Sequence, residues 1–289
     1  MIKILKYLIQ ATFIYLFFVI MKLIGLQLSR KLSAFLFCKI GPLIKSKKII
    51  DQNLKKFIGL YNEDKKKEII YGMWSNYGKT FVEYLYLKRF RNDNSHIKIK
   101  GEHVIESIIK NNKPVIFVSG HFANFELMSM ELTKRNLNLA TIYRPLNNFF
   151  LNPLMEYFRR TYVCKNQIKK GVPGVKESII FLKKNFSIAL MIDQRVSEGK
   201  KLPFFQEMAL TTTLPSQLAI KFGLDIVPIY LFRDKSDNFE MEIYEPIKIT
   251  NNENVEKNKL DIAIKLNKIL EQMISKNPGQ WIWTHNRWK

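Results

Sequence analysis

The chain has 289 residues, 47% of them hydrophobic, which is enough for one large core and excludes wholesale disorder. Forty-seven Lys and Arg against 25 Asp and Glu leave a formal charge of +22, so the surface favours anionic partners: nucleic acid, acidic lipid or phosphorylated substrates. Two unclustered cysteines, Cys38 and Cys164, argue against a disulfide framework and against a Cys-based zinc site.

The first element is "LKYLIQATFIYLFFVIMKLIGLQL", Leu5 to Leu28. It is mostly apolar and long enough for a helix to cross a hydrocarbon core of about 30 Å. Lys6 and Lys22 lie near its ends, where lysines snorkel, and no small-residue cleavage site of a signal peptide follows. The pattern reads as a membrane anchor over residues 1–30, single-pass or lying deep in the interface. More basic residues follow it (Arg30, Lys31, Lys39, Lys45, Lys47, Lys48) than precede it, which puts residues 31–289 on the cytoplasmic side.

A helix is expected from Asn62 to Phe90, with Asn62 as its cap and apolar residues at helical spacing. Beyond it, strand candidates (Ile97–Lys100, Pro114–Ser119, Leu139–Tyr143, Ser187–Ile192, Ile226–Phe232, Phe239–Tyr244) alternate with helix candidates (Glu102–Lys110, Asn124–Arg135, Asn148–Tyr162, Gly174–Lys184, Leu214–Phe222, Val255–Ser275). Several strands are continuous apolar runs suited to burial on both faces. The expected fold is therefore α/β, a mostly parallel central sheet flanked by helices, with an N-terminal membrane-anchor helix and one domain from 31 to 289. In such sheets sites collect at the carboxyl ends of strands.

Three of those ends carry polar chemistry. "PVIFV" leads into "SGHFANFE" with His121 and Glu126, "LATIY" into Arg144, and "SIALMI" into Asp193, Gln194 and Arg195. An imidazole backed by a carboxylate can take a proton from a hydroxyl, although a loop histidine beside an ordinary first-turn acid has the same spacing. There is no G-x-S-x-G and no Cys–His pair, which favours direct transfer to an acceptor hydroxyl over an acyl-enzyme. Arg144 suits a phosphate or a developing oxyanion, and Arg159 and Arg160 suit phosphate contacts. His96, His103 and His285 have no zinc spacing and read as structural. The tail "NPGQWIWTHNRWK" reads equally as an interfacial aromatic patch or as a docked, buried terminus.

"GHFANFE" resembles the G-H-x-G-N-W-E form of the H-x4-D/E block in the late acyltransferases of lipid A biosynthesis, the lauroyl/myristoyl family of the glycerolipid acyltransferase superfamily. "TIYRP", "ALMIDQR", "LDIVPIYLF" and "QWIWTHNRWK" are similar to that family's later blocks, in order, behind an anchor. The resemblance implies an O-acyltransferase at the cell inner membrane, moving a fatty acyl chain from acyl carrier protein to a hydroxyl of a lipid A precursor. It implies His121 as general base, Glu126 as its orienting partner, Arg144 in the substrate or transition-state electrostatics and Asp193 at the active-site rim; Gln194, Arg159 and Arg287 are further candidates on the substrate side, and neither cofactor nor metal is expected. Ala123 and Phe125 stand where the family more often shows Gly and Trp, and Asn286–Arg287 replaces its doubled Arg, which bears on acyl length and acceptor identity. Other lipid acceptors (lysophospholipid, ornithine lipid) and hydrolysis through the same histidine are the rival chemistries. A non-enzymatic nucleic-acid binder is the rival class, and scattered lysines without a recognised motif speak against it.

Overall fold

The computed structural model describes residues 1–58, 63–249 and 254–289. Three helices open the chain: α1 (Ile2–Leu23), α2 (Leu26–Ile44) and α3 (Lys47–Ile58). The apolar run expected to continue to Leu28 is broken by Gly25, whose φ of 78° only glycine adopts freely. The long helix α4 (Glu63–Glu83) follows, then a 3-10 turn and α5 (Leu87–Asn92). The Asn62 cap expected for α4 lies outside the described residues. Helix α2 packs closely along α4: a Cβ on Gly78 would come within 2.4 Å of the Ser33 carbonyl oxygen, so glycine is what permits the approach.

From there strands and helices alternate: β1 (Ile97–Lys100), α6 (Glu102–Asn111), β2 (Ile116–Ser119), α7 (Glu126–Lys134), β3 (Leu139–Tyr143), α8 (Asn152–Phe158), β4 (Asn166–Lys169), α9 (Val172–Lys183) and β5 (Ser187–Met191). The hairpin β6 (Lys200–Phe204) and β7 (Glu207–Thr211) intervenes before α10 (Leu214–Phe222), β8 (Ile226–Arg233), β9 (Phe239–Ile243) and α11 (Val255–Lys276). The main sheet has the order β1-β9-β8-β2-β5-β3-β4. Strands β8, β2, β5, β3 and β4 run parallel, while β9 turns back antiparallel on β8 and takes β1 parallel to itself. The expected mostly parallel α/β sheet is thus present.

Alternation along each buried strand divides the core in two. On β2, Ile116 and Val118 face a cluster with Leu182 of α9, Leu218 of α10 and Leu266 of α11. Phe117 faces the other, with Phe90 of α5, Val104 of α6 and Leu127 of α7. Several elements depart from the sequence reading: α2 and α3 are not among those expected, and the helix expected to run to Phe90 breaks after Glu83 into a 3-10 turn and α5. Strand β4 and the β6–β7 hairpin were not anticipated, and the helix expected over Asn148–Tyr162 begins only at Asn152 and widens into a π turn over Arg159–Val163. A π turn inserts a residue into the helical ladder and re-aims the side chains around it. The C-terminal tail is docked, with Trp281 and Trp283 fully buried in the first cluster.

Candidate active site

Strand register sets the site. Ser119 of β2 lies beside Met191 of β5, and two residues beyond each strand end come His121 and Asp193. Gly120 makes the approach possible, because a Cβ there would sit 2.7 Å from the Phe122 ring and 3.3 Å from the Asp193 Cβ. His121 Nδ1 is 2.8 Å from Asp193 Oδ1, and the His121 backbone N–H donates to Asp193 Oδ2 at 2.9 Å. Trp281 Nε1 donates to the same Oδ2 at 2.8 Å.

Asp193 is fully buried. Burial alone would raise its pKa, but the His121 charge and the hydrogen bonds from His121 and Trp281 outweigh it and hold the carboxyl at about 2. An ionised carboxylate only accepts, so Nδ1 carries a proton, and in the neutral ring the lone pair falls on Nε2, the tautomer a general base requires. The carboxylate bonded to the histidine is therefore Asp193, in place of the Glu126 expected from the H-x4-E spacing, and Asp193 sits behind the ring rather than at the rim.

Glu126 is engaged elsewhere. Its Oε1 accepts from Tyr84 at 2.5 Å and from Arg159 Nε at 2.8 Å, with Arg159 Nη2 at 2.7 Å. Burial would lower the Arg159 pKa, but Glu126 and Tyr84 reverse that and keep the guanidinium charged. Tyr84 is pushed well up, by burial first and then by the Glu126 charge.

The loop bearing His121 is fixed from three sides. Ala123 N–H donates to the Gln280 carbonyl, Thr80 Oγ1 donates to the Ala123 carbonyl, and Asn124 Nδ2 donates to Glu83 Oε2 at 3.0 Å. Glu83 is itself buried between Arg233 and Arg30. Burial would raise the Glu83 pKa, yet these two arginines depress it, so the network is ionic. Ala123 has a φ of 43° in the left-handed region, a conformation glycine adopts at less cost than alanine.

A cavity of about 430 Å³ opens in front of His121. His121, Glu126, Arg144, Arg159 and Gln194 all line it, so the structure brings five of the expected residues together. Lys170, at the end of β4, adds a third cation beside Arg144 and Arg159. Its pKa is lowered by burial and then by Arg144. Met128, Ala189, Leu190 and Leu214 give the lining an apolar part, beside the polar Ser129, Thr141 and Gln167. Arg287 is not brought to the cavity. It is buried over the Phe204 ring, donating to the Leu210 carbonyl and to Thr211 Oγ1, and pins the tail to β7.

Three contributors escaped the sequence reading. Lys170 follows the unrecognised β4, Trp281 lies in a tail legible only as aromatic, and His285, expected to be structural, lines the cavity while its Nε2 accepts the Arg195 backbone N–H at 2.9 Å. Burial lowers the His285 pKa to about 4, so it is neutral. Among the described residues no group of three His, Cys, Asp or Glu side chains is placed to hold a metal ion.

The family model for bacterial lipid A biosynthesis acyltransferases matches residues 2–289 of the chain. No curated protein matches it.

Proposed function

The chain belongs to the bacterial lipid A biosynthesis acyltransferase family, and from that membership we propose that it moves a fatty acyl group from an acyl carrier protein thioester to a hydroxyl of a lipid A precursor. Its enzyme class, an acyltransferase of lipid A biosynthesis, follows from the family. The donor, the residue roles and the membrane arrangement are this proposal's own.

His121 is the general base. Its Nε2 takes the proton of the acceptor hydroxyl as the oxygen attacks the thioester carbonyl, and Asp193 holds the ring and stabilises the imidazolium. The tetrahedral intermediate then expels the carrier thiolate, which receives that proton, leaving an ester and a free carrier thiol. Arg159, fixed by Glu126 and Tyr84, and Arg144 stabilise the developing oxyanion and the acceptor phosphates together with Lys170, while Gln194 binds alongside. The acyl chain lies against the apolar part of the lining. Residues 1–30 attach the enzyme to the inner membrane and 31–289 form the acyltransferase domain on its cytoplasmic side. The observation that carries the reading is the His121–Asp193 pair beside a cavity whose lining combines the cations Arg144, Arg159 and Lys170 with the apolar Met128, Ala189, Leu190 and Leu214.

The test supplies purified enzyme with acyl carrier protein charged with a radiolabelled acyl chain and, separately, a lipid A precursor, a lysophospholipid or no lipid. The expected product is the precursor one acyl chain heavier by mass spectrometry. Label appearing only in lysophospholipid, or only as free fatty acid, overturns the acceptor assignment.

A further inference from the structure

Helix α1 is apolar on both sides, and only one of them is covered. Tyr7, Ala11, Ile14, Phe18 and Met21, spaced three and four apart, turn toward the domain and are buried or half-buried; Phe18 meets the Phe81 ring with centroids 4.9 Å apart. Leu5, Ile9, Phe13, Leu16 and Ile20 form the opposite stripe and are 47–69% exposed.

The helix is also tied to the domain along its length. Asn148 Nδ2 donates to the Tyr7 carbonyl, the Tyr15 hydroxyl to the Phe150 carbonyl, and Lys22 Nζ to the Leu85 carbonyl. From Tyr7 to Lys22 is about 22 Å of helix at about 1.5 Å per residue. Were α1 to stand along the membrane normal, these partners would be separated by that same depth. Polar backbone of the Asn148 loop and of the 3-10 turn at Leu85 would then lie inside a hydrocarbon core only about 30 Å thick, where unpaired backbone groups are not tolerated. With the helix lying flat, every tie stays at one depth.

The bare stripe continues past α1. Helix α2 exposes Leu28, Leu32 and Phe35 among Lys31 and Lys39, and Tyr7 packs edge-on against Phe149, in the loop whose Leu146 lines the cavity. Apolar surface bordered by lysines suits the boundary of an anionic leaflet.

We propose that α1 does not cross the bilayer but lies in the plane of one leaflet, with the Leu5–Ile20 stripe and the exposed face of α2 immersed and the cavity mouth at lipid level. A lipid acceptor then reaches His121 sideways, without leaving its leaflet. This deepens the membrane attachment in the function proposed above and rests on it.

Spin labels placed singly at Leu5→Cys, Ile9→Cys, Phe13→Cys, Leu16→Cys and Ile20→Cys, with Cys38 and Cys164 replaced, report depth from the ratio of oxygen to nickel-chelate accessibility in vesicles containing anionic phospholipid. All five positions are solvent-facing, so folding is preserved. The expected result is one common depth, within a helix diameter of about 10 Å. A monotonic run through the bilayer centre over about 22 Å overturns the inference. So do labels that stay aqueous, and so do labels shielded from both reagents, as a second copy of the chain would shield them. Acyl transfer measured on the same vesicles, loaded with lipid A precursor and supplied with acyl carrier thioester, separates the two claims, because a common depth without activity refutes the proposed reaction and leaves the flat helix standing.

Discussion

Replacing Asp193 with Asn is the sharpest probe of the site, because the geometry dictates how the amide must sit. Oδ2 accepts two N–H groups, from the His121 backbone and from Trp281, whereas Oδ1 meets only His121 Nδ1. Turning the amide nitrogen toward the two donors creates two clashes, so the amide oxygen takes the Oδ2 place and its NH2 faces Nδ1. Nδ1 must then accept, the proton moves to Nε2, and the imidazole is held in the tautomer that cannot act as a base. Recovering the productive tautomer sacrifices the Nδ1 hydrogen bond and opposes two donors, and the analogous change in a serine protease triad lowers kcat about 10⁴-fold. Here a loss of about 10³–10⁴ in kcat is expected, about 4–5.5 kcal/mol at about 1.4 kcal/mol per decade. KM should change little, since Asp193 does not line the cavity. The assay is acyl transfer under saturating donor, with circular dichroism and thermal unfolding in detergent to show that the variant is folded. A folded Asp193→Asn protein within tenfold of the wild-type kcat would refute the His121–Asp193 account.

Arg159→Met should cut kcat/KM by about 10²–10³, the range for losing an oxyanion donor, and also destabilise the fold, because Glu126 is left buried without its cation. Adding Glu126→Gln should restore the melting temperature and not the rate; recovery of both would remove Arg159 from the chemistry. Gly78→Ala drives a methyl into the Ser33 carbonyl and should lower unfolding free energy by about 1–3 kcal/mol or more, with a change under about 0.5 kcal/mol refuting the close α2–α4 packing. His96 and His285 are held at about 4 by burial, below the unfolded value of about 6.5. Between those values the unfolded chain binds protons that the native protein does not, so stability is complete above about pH 6.5 and falls as pH drops toward 4. Melting temperatures at pH 7 and pH 5 measure this, and a slope unchanged in His96→Gln would exclude His96 as a source.

The sheet was legible because "PVIFV", "LATIY" and "SIALMI" are apolar runs with no helical period, and their polar ends fell where a parallel sheet puts its sites. What holds His121 was not legible. Glu126 is five residues away in sequence, while Asp193 is adjacent only through the Ser119–Met191 register, which no local pattern encodes. Strand β4 is short and polar, "NQIK", and was absorbed into the connection after the expected helix; Lys170 was lost with it. The β6–β7 hairpin is interrupted by Lys201 and Pro203, although Leu202, Phe204, Ala209 and Thr211 do alternate inward. Arg287 is expected on the substrate side, and only its burial over Phe204 and its bonds to β7 reveal a clamp. Ile14, Phe18 and Met21 made the first helix look apolar all round, so its division into a covered and a bare face depended on the packing.

The central claim is that His121 deprotonates a hydroxyl of a lipid A precursor. His121→Ala, shown by its melting curve to be folded, should leave the precursor at its original mass when incubated with acyl carrier thioester, under conditions in which the wild type adds one acyl chain. Turnover by folded His121→Ala within a few fold of the wild type would contradict it.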